Sequence, residues 1–306
     1  MEFAVGVSPV VEVVDPVLAA AGVRVWLKRD DLVHPDLPGN KWRKLKYNLE
    51  AARGHRALLT FGGAYSNHLR AVAAAGHHFG FRTIGIVRGE ERLPLNPSLE
   101  RAAAWGMCLG YLDRAAYRHK GDPEVAARLR EEYGEFYLVP EGGSNALGVR
   151  GCVELAEEID LPFDVLCCPV GTGGTLAGLA AGLRPGQRAL GFSALKGAAG
   201  YLEGEVERLQ REALGAVTAN WSIDHDHHAG GYARSTPGLE AFAARFSALH
   251  GLDPERVYVA KMLHGIHSLA RRSGFPRGTR IVAVITGSRP PGTARSRCPG
   301  WAPRCR

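Results

Sequence analysis

The chain has 306 residues, enough for two domains or one large α/β unit at about 150 residues per domain, and its 45% hydrophobic and 23% charged residues are ordinary for a soluble globular protein. The net charge of +7 is unevenly placed: residues 289–306 hold five arginines and no acid, and removing these five leaves +2, with no aromatic-interleaved basic stripe elsewhere, which argues against a nucleic-acid partner. No stretch reaches the roughly 18 apolar residues of a membrane span, residues 1–9 lack the apolar run of a signal peptide, and the six cysteines form no CxxC pair, so a cytoplasmic protein without a disulfide framework is expected.

Residues 23–28 read as a strand. The run Gly39-Asn40-Lys41-Trp42-Arg43-Lys44-Leu45 then opens a helix whose buried side is marked by Trp42, Leu45, Leu49 and Ala52. Lys41 stands at the positive end of that helix, where an ammonium is disfavoured. A lysine that loses its proton there is a nucleophile toward aldehydes; the plainer alternative is a solvated lysine in a basic segment. Strands follow at 57–61, 83–87 and 136–139, with a helix over about 66–77 after Gly62-Gly63. A buried strand at 164–169 holds Cys167 and Cys168 as small hydrophobes and runs into a glycine-rich turn and an Ala/Leu/Gly helix. A strand at 189–193, a helix at 261–272 and a last strand at 280–285 complete the pattern. The alternation predicts parallel sheets covered by helices, with ligands beyond the carboxyl ends of the strands, where the glycine turns fall. Beyond Gly287 the pattern stops, and residues 289–306 read as a disordered or loosely attached tail.

The glycine turn Gly171-Thr172-Gly173-Gly174-Thr175 lies between a buried strand and a helix, where free backbone N–H groups suit an anion. A Walker loop needs a Gly-Lys-Ser/Thr ending, which is absent. A dinucleotide fingerprint needs a third glycine, where Leu176 stands, and an acid about 20 residues on; residues 177–197 contain none. A phosphomonoester fits better, against the alternative of a turn needed only for packing. A second loop, Gly62-Gly63-Ala64-Tyr65-Ser66-Asn67-His68, offers hydroxyl, amide and imidazole donors at a helix start, as a carboxylate cradle or as plain capping. A third, Glu141-Gly142-Gly143-Ser144-Asn145, reads as structural support. The spacing in Asp224-His225-Asp226-His227-His228 is too tight for one tetrahedral metal site, because neighbours in an extended loop point to opposite sides, so no metal is expected.

Taken together, Gly-Asn-Lys-x-x-Lys-Leu at 39–45, Gly-Gly-x-x-Ser-Asn-His at 62–68, Gly-Gly-Ser-Asn-Ala-Leu-Gly at 142–148, Gly-Thr-Gly-Gly-Thr-x-Ala-Gly at 171–178 and Lys28-Arg29-Asp30-Asp31-Leu32 resemble the pyridoxal-phosphate enzymes of the 1-aminocyclopropane-1-carboxylate deaminase/D-cysteine desulfhydrase family. The likeness runs from about residue 8 to 287. It implies the two-domain, tryptophan-synthase-β-like fold type II, an α/β fold with parallel-rich twisted sheets flanked by helices. The large cofactor-binding domain would comprise residues 1–44 and 152–306 and the small domain 45–151. It also implies a homodimer acting on a small amino acid.

Position by position, the resemblance makes Lys41 the Schiff-base lysine of pyridoxal 5'-phosphate, with Lys44 as the second family lysine. Asn67 would bond the cofactor's phenolic oxygen, and Ser66 and His68, with Asn67, would face the substrate carboxylate. Gly171, Thr172, Gly173, Gly174 and Thr175 would take the phosphate, Tyr232 and Tyr258 match the two active-site tyrosines, and Thr286 would meet the pyridine nitrogen. A threonine, unlike a carboxylate, does not keep that nitrogen protonated, so the cofactor is a weaker electron sink. In the deaminase branch an acid follows the second tyrosine and a leucine replaces the threonine, whereas here Val259 follows Tyr258. Both departures favour D-cysteine desulfhydrase-like α,β-elimination to pyruvate, ammonia and sulfide. The alternatives are the cyclopropane-carboxylate deaminase and a non-catalytic protein that binds pyridoxal phosphate or another phosphomonoester.

Overall fold

The computed structural model describes residues 6–37 and 39–287; the tail expected at 289–306 lies outside them. The chain forms two compact units, one from the residues up to Lys44 and from Ser144 on, the other from Leu45–Gly143. The second crossover thus falls at 143/144, where the sequence suggests 151/152.

The first unit begins with β1 (Val10–Val13), α1 (Pro16–Ala21), β2 (Arg24–Lys28) and the start of α2 (Asn40–Ala51), which runs on into the second unit. The second unit continues through β3 (Ala57–Gly63), α3 (Asn67–Phe79), β4 (Arg82–Arg88), α4 (Pro97–Ala104), β5 (Cys108–Leu112), α5 (Arg114–Arg118), α6 (Pro123–Tyr133) and β6 (Tyr137–Val139). The chain returns to the first unit with α7 (Ala146–Glu157), β7 (Val165–Val170), α8 (Gly174–Ala181), β8 (Arg188–Ser193) and α9 (Tyr201–Leu214). It ends with β9 (Trp221–Asp224), α10 (Pro237–His250), α11 (Val259–Arg271) and β10 (Arg280–Val284). Among the described residues no helix is long and apolar enough to cross a membrane.

In the first unit six strands lie in the order β1-β2-β10-β7-β8-β9, with β1 antiparallel at one edge and the rest parallel. Helices cover both faces, so successive residues of the central strands enter different cores. Val165, Cys167, Ile281 and Ala283 pack with Met262, Leu263 and Ile266 of α11. Leu166, Cys168, Val282 and Val284 pack with Leu155 of α7, Leu176 and Leu179 of α8, and Leu202 and Val206 of α9. Cys167 and Cys168 are buried free thiols, as their place in an apolar strand predicts.

The second unit is a parallel sheet in the order β5-β4-β3-β6, with a core of Leu59, Phe61, Ile84, Ile86, Leu112 and Leu129. In β5, Gly110 leaves room for Tyr133: a Cβ there would stand 2.4 Å from the phenol oxygen.

The start of α2 is locked to α7 and to an ion cluster. Arg43 donates from Nη2 to Asp30 Oδ1 at 2.9 Å and to Glu158 Oε2 at 2.7 Å, and Lys28 Nζ reaches Glu158 at 3.3 Å and Ser8 O at 2.7 Å. Asp30, Arg43 and Lys28 are all buried. The Lys28-Arg29-Asp30-Asp31 segment is therefore an anchor for α2, and removal of one partner would strand a buried charge. On the opposite side α7 meets the α2 backbone at Gly151, where a Cβ would fall 1.9 Å from Arg43 O. Gly151→Ala should destabilise the protein by about 1–3 kcal/mol or more, because backbone cannot yield as a side chain tip does. An unchanged denaturant midpoint would contradict this packing.

Candidate active site

Lys41 is the second residue of α2 and is half-buried. Burial and then the neighbouring Lys44 push its amine down to about 7 from 10.5. Close to neutral pH a substantial share of Lys41 is therefore the neutral, nucleophilic amine. Lys44, fully enclosed, is also pushed down by burial. Two contacts place this helix start. Gly39 adopts φ +61°, and a Cβ on it would lie 2.7 Å from Thr286 O, so only glycine lets α2 begin against the chain just beyond β10. Asn40 Nδ2 donates to Thr175 Oγ1 at 3.0 Å, joining α2 to the glycine loop.

That loop ends in α8, whose N-cap is Gly173 at φ +77°, with no side-chain cap. The first N–H groups of a helix have no intrahelical partner and carry its positive pole. Polar groups gather at the same end: Lys44 Nζ donates to Ser144 Oγ at 3.0 Å, and Ser144 Oγ and Thr172 Oγ1 are 2.6 Å apart. A Cβ on Gly174 would stand 2.8 Å from Ser144 Oγ and 3.0 Å from Lys44 Nζ, so the second glycine of the pair is what admits both. An amine, two hydroxyls and a helix N-terminus make a donor set for a phosphate.

Ser144 was legible only as support, since nothing in its own loop shows that Lys44 reaches it. Beneath the cluster the Cys152 thiol is pushed up to about 11 by burial and stays protonated.

Tyr258 flanks the loop at its other end. A Cβ on Gly171 would be 3.0 Å from Tyr258 Cε1 and 3.2 Å from its hydroxyl oxygen. The Tyr232 ring meets Tyr258 edge-on, with centroids 6.1 Å apart. The first unit thus brings together the glycine loop, Tyr258 and Tyr232, and sets Gly39 and Asn40, just before Lys41, against Thr286 and Thr175.

In the second unit Ser66 is the N-cap of α3, accepting from His68 N at 3.1 Å and Leu69 N at 3.3 Å. The capping reading of this serine is realised. His68 is buried, with Nε2 2.9 Å from Thr60 Oγ1 in β3, and Asn67 Oδ1 accepts from Arg70 at 3.1 Å. Within the His-rich run, His227 Nδ1 lies 2.8 Å from Asp224 Oδ1 while His225 Nε2 lies 2.7 Å from Glu203 Oε1, so these imidazoles turn to separate partners.

A family model described as pyridoxal-phosphate dependent enzyme matches residues 1–287. The chain is 31% identical over 268 residues to a putative 1-aminocyclopropane-1-carboxylate deaminase of Thermotoga maritima, covering 82% of this chain and 86% of that one. It is 28% identical over 299 residues to a D-cysteine desulfhydrase of Klebsiella pneumoniae, covering 88% of each. A solved structure described as an ACC deaminase homologue superposes with a TM-score of 0.82 at 27% identity, over 94% of this chain and 90% of that one. If the α8 start holds the phosphate, Thr175→Asp should weaken cofactor binding at least about a hundredfold, since like charges brought together cost several kcal/mol. Titration of cofactor absorbance checks this; full colour in the variant would put the phosphate elsewhere.

Proposed function

The chain belongs to the pyridoxal-phosphate dependent enzymes, and we propose that it is a lyase releasing pyruvate, ammonia and sulfide from D-cysteine by α,β-elimination. The observation that carries this reading is the pair of amines at the start of α2: Lys41 held near neutrality and Lys44 against the glycine-rich end of α8. The residues fit the cofactor. Lys44, Ser144, Thr172 and the α8 N-terminus would hold its phosphate, Lys41 would bond to its aldehyde, and Thr286 would face its ring nitrogen.

When bound, pyridoxal phosphate supplies the electron sink that lets the substrate's α-proton leave. Lys41, with its amine pushed down to about 7, is suited to take that proton from the α-carbon. Thiolate then leaves the β-carbon with the electron pair of the C–S bond, and water hydrolyses the released imine to pyruvate and ammonia. The Tyr232 and Tyr258 hydroxyls are assigned to the departing thiolate, which they can orient and hydrogen-bond. In the second unit Asn67 is assigned to the cofactor's phenolic oxygen, and Ser66 and His68 to the substrate carboxylate. These last three rest on the resemblance; Ser66 would serve there while capping α3.

The threonine at 286 and the valine at 259 set the choice of substrate. Neither offers an acid, so the sink is modest and the β-substituent must leave as a stable anion. Thiolate and chloride satisfy this, and a ring carbon does not. The 2-oxo acid, pyruvate from D-cysteine and β-chloro-D-alanine but the four-carbon 2-oxobutanoate from 1-aminocyclopropane-1-carboxylate, should therefore form at least about tenfold faster (~1.4 kcal/mol in barrier) from the first two than from the third. A reversed order would make the chain a deaminase.

A further inference from the structure

The segment that carries Tyr232 is folded in a costly shape. Ala229 (φ 51°), Gly230 (φ 91°), Gly231 (φ 115°) and Ala233 (φ 53°) all lie in the left-handed region. For an alanine each such conformation is strained and persists only where the surroundings hold it. One side chain visibly does so. Lys261 of α11 is completely buried, and its Nζ donates to Gly231 O at 2.7 Å and lies 3.5 Å from Ala194 O, just beyond β8.

Six residues earlier, Glu255 performs the matching task for the other tyrosine. Its carboxylate accepts from Val257 N at 2.6 Å and from Tyr258 N at 3.0 Å, where Tyr258 is the N-cap of α11. The two charges sense each other. Burial pushes Lys261 down to about 8 while Glu255 pulls it up, and burial pushes Glu255 up while its backbone donors and Lys261 pull it down. An apolar side chain would fill the Lys261 position more cheaply if packing alone were needed, because a buried ammonium is expensive unless its hydrogen bonds are put to use.

We propose that Lys261 and Glu255 are a positioning pair that sets the two tyrosine rings against each other, Lys261 through the Gly231 carbonyl and Glu255 through the Tyr258 amide. The pair thereby fixes where a leaving group is received. The functional half rests on the assignment of Tyr232 and Tyr258 to the leaving group; the structural half does not. Lys261→Met removes the donor and keeps the length. Lys261→Leu, which also lacks the donor, serves for the same comparison should the methionine variant fail to fold.

Hydrogen exchange on the holoenzyme should show the peptide spanning 229–234 exchanging about tenfold faster in Lys261→Met, with the peptides of β7, β8 and β10 unchanged. Turnover of D-cysteine should fall about tenfold in kcat, with cofactor absorbance retained and KM changed less. In a Tyr232→Phe background Lys261→Met should cost nothing further, because its effect passes through that ring. Unchanged exchange at 229–234 would overturn the staple. Faster exchange with a loss that adds in full to that of Tyr232→Phe would overturn the positioning role. Full activity in Tyr232→Phe alone would overturn the leaving-group assignment, and that result is read independently of the exchange data.

Discussion

Two amino groups lie three residues apart at the positive end of one helix, and burial disfavours the charge on both. Burial is the larger cause for each, and for Lys41 the neighbouring Lys44 adds to it. Nothing about α2 by itself would keep them there. The helix start is held by backbone meeting backbone at Gly39 and Thr286 and at Gly151 and Arg43, and by an ion cluster that draws Arg43 to Asp30 and Glu158. Arg43 lies between the two lysines in sequence yet is fully engaged away from them. The helix start thus holds three cations in three settings: Arg43 anchors, Lys44 meets the glycine loop, and the amine of Lys41 is pushed down to about 7.

The glycine loop answers that helix. Each of its glycines is needed for a different neighbour: Gly171 for the Tyr258 ring, Gly173 for a left-handed turn, Gly174 for Ser144 and Lys44. A loop required only for tight packing would not gather an amine and two hydroxyls at an uncapped helix start. The same economy of space recurs at Gly178, where a Cβ would stand 2.4 Å from Val149 O; close approach of α8 to α7 is what brings Ser144, just before α7, to the loop.

Much of the fold was legible because its central strands are buried on both faces. β7 and β10 read as continuous apolar runs, and the 3.6-residue recurrence of Trp42, Leu45, Leu49 and Ala52 marked the buried side of α2. Other elements left no such trace. β5 is interrupted by Gly110, whose purpose is a contact with Tyr133 far along the chain; β1 is an edge strand, mostly unburied, and β9 is short and half-buried. The site divides in the same way. Lys41 and the glycine loop announce themselves locally. Ser144, Lys261 and Glu255 act through partners distant in sequence or through the backbone, and no local pattern reveals that. His68 reads as a donor at a loop mouth, and its Nε2 lies 2.9 Å from Thr60 Oγ1 of β3, a contact that no local pattern reveals.

Lys41 is proposed as the amine that captures the cofactor, poised by burial and by Lys44. A group whose pKa falls to about 7 from 10.5 is mostly charged below that pH and mostly neutral above it. Cofactor-free enzyme mixed with pyridoxal phosphate at a series of pH values, quenched with borohydride and mapped by peptide mass, tests both points at once. The label should fall on Lys41, and its rate of appearance should rise as pH passes through about 7 and level off above. Label on Lys44, or a rate still climbing toward pH 10, where an ordinary lysine titrates, would contradict the account.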